Sequence, residues 1–219
     1  MSVRDRASRL GYDLAYRLGS TPWERHGRAT RASVERLLDR EVAERSGPPG
    51  RALDLGCGRG QYAPALTKRG WTVVGVDNVA GAIDAATRKG IAGATFVVGD
   101  VTALAPAELG GFDFFLDAGC FQGLGAEQRL AEGRGVSALA NPGATLLMLA
   151  FQATPLRSLI GGVTRAEVEA AFPGWEMLSI EPADTAKLGW PMTTTAPLWY
   201  RLGRPAGRSG TDEAGDGAA

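Results

Sequence analysis

Leu53-Asp54-Leu55-Gly56-Cys57-Gly58-Arg59-Gly60 is the segment whose residue types and spacing point most directly to chemistry. Glycines at 56, 58 and 60 permit dihedrals closed to other residues and bring bare main chain against a ligand. A helix starting directly after them adds unpaired N–H groups, and together these make a cradle for a nucleotide-like molecule. A dinucleotide fingerprint needs glycine at the last position of G-x-G-x-x-G, which here is Gln61, so a nicotinamide oxidoreductase is disfavoured. Asp77, Asp100 and Asp117 follow apolar runs, and with Asp54 they are expected to line the carboxyl ends of successive strands, where open α/β sheets bind ligands. Asp77 stands 21 residues after Gly56 (77 − 56), where a carboxylate can accept both hydroxyls of a ribose. Four carboxylates suit a cationic ligand and repel dinucleotide phosphates.

Short apolar runs separated by helix-length stretches must position these residues. Ala52–Leu55, Thr72–Val76, Thr95–Val98, Phe112–Leu116 and Thr145–Ala150 read as strands of a parallel sheet. Gln61–Arg69, Val79–Arg88 and Ala126–Leu139 read as crossover helices, closed by Gly70, Gly90 and an Asn141-Pro142-Gly143 turn. Thr164 with Glu167 three residues on opens a helix to Phe172, and two more strands are expected near Trp175–Ile180 and Pro197–Leu202. Residues 1–46 read as an N-terminal helical cap region, 47–203 as the core, and 204–219 as a disordered tail without Val, Ile, Leu or an aromatic residue.

Composition narrows the function classes. The 219 residues carry 24 basic and 24 acidic side chains, so no global field attracts polyanions and nucleic acid is a poor partner. The longest mostly apolar run, Ala144–Phe151, is far short of the roughly 20 residues that span a bilayer. The N-terminal stretch with Arg4, Arg6 and Arg9 lacks the apolar core of a secretory signal, so no membrane and a cytoplasmic address are expected. Two cysteines, Cys57 and Cys120, build neither a zinc cage nor a disulfide framework, so no metal is expected. Cys57 is read as packing in the loop and Cys120 as a small core residue, since no histidine is placed to activate either. Oligomeric state has no signal.

Asp54, Gly56, Gly58 and Gly60, then Asp77, Asp100 with Val101, and Phe112–Leu124 together resemble the class I S-adenosylmethionine-dependent methyltransferases over roughly residues 20–203. The resemblance implies an α/β, Rossmann-like, seven-stranded, mostly parallel sheet with helices on both faces and an antiparallel last strand near Trp199–Leu202. It implies S-adenosyl-L-methionine as cofactor, held by Trp23, Asp54, Gly56, Cys57, Gly58, Gly60, Asp77, Asn78, Asp100, Val101 and Asp117. Ser20-Thr21-Pro22-Trp23-Glu24 resembles the segment before the core in thiopurine, thiol, halide and tellurite-type enzymes, where the tryptophan packs over the cofactor. Phe121, Gln122 and Trp190 are the candidate substrate contacts, although related sequences often have histidine where Gln122 stands. The expected function is methyl transfer to a small-molecule acceptor, with a thiol or other soft nucleophile favoured. Natural-product O- or N-methylation, or a non-catalytic cofactor-binding regulator, are the alternatives. A thiol with a reference pKa of about 8.5 needs no dedicated base, whereas a phenol or hydroxyl would call on His26 or Asp117.

Overall fold

The computed structural model describes residues 31–152, 162–184 and 196–206. Helix α1 (Arg31–Ala43) precedes the core and ends before Gly47-Pro48-Pro49-Gly50. The α/β rhythm then unfolds as β1 (Arg51–Leu55), α2 (Ala63–Thr67), β2 (Thr72–Asp77), α3 (Ala80–Thr87) and β3 (Ala94–Val98). A 3₁₀ turn (Val101–Ala103), α4 (Pro106–Leu109), β4 (Phe112–Ala118), a second 3₁₀ turn (Phe121–Gly123), α5 (Ala126–Leu139) and β5 (Ala140–Phe151) follow. Helix α6 (Arg165–Ala171), β6 (Glu176–Pro182) and β7 (Pro197–Gly203) complete the described chain.

The seven strands form one sheet in the order β3-β2-β1-β4-β5-β7-β6. β1 through β5 pair in parallel, and β7 runs antiparallel to both β5 and β6, as expected for the last strand. The order reverses beside β1, between β2 and β4, which opens a crevice at the carboxyl ends of those strands. The two-residue pleat sends alternate side chains to opposite faces. On one face, Leu53, Leu55, Phe112 and Phe115 pack with Val136 and Leu139 of α5 and Val168 of α6. On the other, Ala52, Phe114 and Leu116 pack with Leu37 and Leu38 of α1 and Ala63 and Leu66 of α2. Both faces are therefore covered, and the strands read as continuous apolar runs for that reason.

Two local expectations change. Asn141-Pro142-Gly143 does not stand outside the sheet as a turn; it lies within β5, where the pairing with β4 slips between Phe112 and Phe114. Gly143 is left-handed (φ 76°), and Asn141 donates to Asp113 Oδ1 at 2.9 Å, so turn-forming residues make a bulge here. The helix expected from Gln61 begins at Ala63. Helix α6 starts as its sequence indicates: Thr164 Oγ1 accepts from Glu167 N at 3.2 Å, and Glu167 Oε2 accepts from Thr164 N at 2.8 Å.

Candidate functional site

The glycine segment leaves β1 and turns through three left-handed residues, Gly56 (φ 63°), Gly58 (φ 53°) and Gly60 (φ 66°). Hydrogen bonds stitch it to the end of β2: Cys57 N donates to Val76 O at 3.0 Å and Gly58 N to Asp77 Oδ2 at 2.9 Å. A Cβ on Gly60 would stand 2.7 Å from the Phe96 ring, and one on Gly56 would stand 2.8 Å from Cβ and 2.9 Å from Sγ of Cys120. Gly56 is exposed while Cys57, Gly58 and Gly60 are buried, so bare backbone faces outward over a packed base. Gln61 and Tyr62 intervene before α2, so the loop's own amides line the bend.

The four aspartates do not form one open rim. Asp54 lies inside β1 with its Cα opposite Gly75 and Leu116, and the pleat buries it. Its Oδ2 meets no hydrogen-bond partner, and burial, then the neighbouring Asp117 and Asp77, push its carboxyl well above the usual range. Asp77 is half-buried at the end of β2, and its Oδ1 accepts from Val79 N at 2.9 Å while Oδ2 takes Gly58 N. Burial raises it, against the pull of those two N–H groups. Asn78 beside it is exposed. Asp100 caps the first 3₁₀ turn, with Oδ1 accepting from Thr102 N at 2.9 Å and Thr102 Oγ1 at 2.7 Å. Val101 is buried in the core. Asp117 is fully buried: Oδ1 accepts from Gly119 N at 2.9 Å and Cys120 N at 2.7 Å, and Oδ2 from Phe121 N at 2.9 Å. An acid so placed shapes the loop after β4.

Of the substrate candidates, Phe121 is fully buried against Phe172 at 5.9 Å between ring centroids. Gln122 uses its Oε1 to accept from Phe151 N at 2.8 Å, tying the loop after β4 to the end of β5. Trp23, His26 and Trp190 lie outside the described residues. Burial leads the upward push on the pKa of both thiols, helped by Asp54 and Asp77 at Cys57 and by Asp117 and Glu132 at Cys120.

Two buried residues of α5 escaped sequence reasoning. Arg129 donates to the carbonyls of Phe121 (3.2 Å), Gln122 (3.1 Å) and Gly162 (3.3 Å) and pairs with Glu167 at 2.7 Å. Glu132 is fully buried beside Asp117 and Cys120, one ligand atom from each lying within 4.8 Å of the others. The available signal was spacing: Arg129, Glu132, Val136 and Leu139 fall on one helical stripe, the stripe that faces the sheet.

Seven strands, a glycine bend after β1 and an acid at the end of β2 define the class I methyltransferase fold, and solved structures match it. The chain superposes on 1,6-didemethyltoxoflavin-N1-methyltransferase of Burkholderia thailandensis, solved with its substrate and S-adenosylhomocysteine, with TM-score 0.71 at 18% identity over 94% of this chain and 91% of that one. A TehB-like S-adenosylmethionine-dependent methyltransferase of Corynebacterium glutamicum gives TM-score 0.60 at 20% identity over 92% and 97%. Residues 52–143 match the family model for a methyltransferase domain. Among curated proteins, 2-heptyl-1-hydroxyquinolin-4(1H)-one methyltransferase of Mycobacteroides abscessus is 30% identical over 142 residues, spanning 61% of this chain and 62% of that protein. No helix among the described residues is long and apolar enough to cross a membrane.

Proposed function

We propose that this chain is an S-adenosylmethionine-dependent methyltransferase whose acceptor is a small molecule that arrives already ionised or easily ionised, such as a thiol or an acidic heteroaromatic hydroxyl or N–H. The observation that carries the reading is the left-handed bend at Gly56–Gly60, which exposes the main chain at Gly56 and is clamped to the end of β2 beside Asp77. The residues present fit the cofactor: a side chain at Gly56 would collide with Cys120, and each Asp77 oxygen uses one lone pair on an N–H and keeps another for a ribose hydroxyl. When bound, S-adenosylmethionine supplies a methyl group on a sulfonium. Gly56, Gly58 and Gly60 admit it, Asp77 orients it, Asp54 lies buried in β1 below the bend, and Asp117 braces the loop after β4. Asn78, Asp100 and Val101 belong to the same wall, with Trp23 assigned to its cover.

Acceptor chemistry follows from what the described residues lack. Asp117 is buried and turned toward the N–H groups of its own loop, and the thiols of Cys57 and Cys120 are pushed toward their protonated forms, so none of these groups is proposed as a general base. Alignment then does most of the catalytic work, and an acceptor that supplies its own nucleophile needs no base from the described residues. The hydroxyquinolone named for the Mycobacteroides relative supports a heteroaromatic acceptor. The Ser20–Glu24 segment, which resembles that of thiopurine, thiol, halide and tellurite-type enzymes, favours a soft nucleophile such as a thiol. Calorimetry with S-adenosylhomocysteine, followed by mass spectrometry of products from thiols, hydroxyquinolones and N-heteroaromatics, tests both. The rate should break at each acceptor's own pKa. Binding without turnover on any acceptor would favour a regulatory cofactor-binding protein, and absence of binding would refute the reading.

A further inference from the structure

Glu132 faces inward from α5 and is fully buried, yet neither of its oxygens meets an N–H or hydroxyl donor among the described residues. What it meets is Asp117, equally buried, with the Cys120 sulfur completing a group of three ligand atoms within 4.8 Å of one another. Asp77 and Asp100 add negative charge near Cys120 from the ends of β2 and β3. Arg129, one turn earlier on α5, is the cation acting on Glu132, and its guanidinium is already spent on three carbonyls and on Glu167 of α6. Two carboxylates this close in a dry interior cannot both ionise against so little positive charge. Three N–H groups favour the charged form of Asp117, which leaves the proton for Glu132.

We propose that Glu132 is a positioning residue: it holds a proton, donates it as a hydrogen bond to Asp117, and so locks the Gly119–Phe121 turn against the glycine bend. The lever is Cys120, whose N–H is one of the three held by Asp117 and whose side chain occupies the space in front of Gly56. Burial pushes both acids up, Glu132 strongly. This role for the cofactor site rests on the reading in the previous subsection, whereas the shared proton does not.

Two variants test it. In Glu132→Gln an amide N–H replaces the acid O–H and no proton is left to titrate; in Glu132→Leu the donor is gone. A glutamate whose folded pKa lies above its ordinary 4.5 stabilises the fold below that value, and the contribution is lost as pH rises toward the folded pKa. The melting temperature of Glu132→Gln minus that of the natural chain should therefore climb as pH rises above about 5 and level off only where Glu132 ionises in the folded chain. A flat difference would overturn the proposal, as would its disappearance on adding a divalent-metal chelator, which would mark the trio as a metal site. In S-adenosylhomocysteine calorimetry, Glu132→Gln should bind within about threefold of the natural chain and a folded Glu132→Leu about tenfold or more weakly. Equal binding by Glu132→Leu refutes the positioning role. If the natural chain binds no adenosyl compound, the functional reading fails while the melting series still decides the shared proton; if Glu132→Leu does not fold, the Glu132→Gln series decides alone.

Discussion

Replacing Gly56 by alanine places a methyl group where the loop after β4 already is. The new carbon would lie 2.8 Å from Cβ and 2.9 Å from Sγ of Cys120, and the residue must keep φ near 63° to leave β1 in the observed direction. The left-handed conformation costs a non-glycine residue about 1–2 kcal/mol. An overpacked contact adds about 1–3 kcal/mol, and the obstructing Cβ is fixed to the main chain and cannot swing away. The sum is about 2–5 kcal/mol; its middle, roughly 3.5 kcal/mol, is about 300-fold in the unfolding equilibrium. Cys120→Gly alone should cost about 1–2 kcal/mol through backbone freedom and lost burial. If the collision is the coupling, the double variant will be more stable than the sum of the two singles by about 1–3 kcal/mol, leaving only the dihedral cost of alanine at 56. Urea unfolding of the four chains, followed by tryptophan fluorescence, measures the cycle. Additivity within about 0.5 kcal/mol would show that the two loops do not touch and would remove the basis for the braced bend.

Asp77→Ala should weaken S-adenosylhomocysteine binding by about 1–3 kcal/mol, or about 5- to 150-fold, and should also lower the melting temperature, because Gly58 N and Val79 N lose their acceptor. Calorimetry showing unchanged affinity would take Asp77 out of the site. Arg129→Met should cost about 3–5 kcal/mol of stability, since three carbonyls and Glu167 lose a buried donor at once; a loss below about 1 kcal/mol in urea unfolding would refute the clamp. Both thiols should react with a disulfide reagent at pH 8 at least about 100-fold more slowly in the native chain than in urea, because environment keeps them protonated. One fast-reacting cysteine would contradict the packing around Gly56 or Gly75.

What the sequence determined by itself was everything set by local chemistry. Alternating apolar runs and glycine stops placed β1 to β5 and the crossover helices, because side-chain period and helix termination are properties of a few adjacent residues. The three left-handed glycines and the Thr164–Glu167 cap were legible for the same reason. Tertiary structure decided which polar groups face solvent. Asp54, spaced like a rim acid, is buried by the neighbouring strands; Phe121, next to the site in sequence, turns into the core; and Glu132 acquires its partner only when β4 sets Asp117 against α5. Burial depends on what packs from elsewhere in the chain, so a carboxyl's charge state and partners appear only once the sheet order and helix faces are fixed.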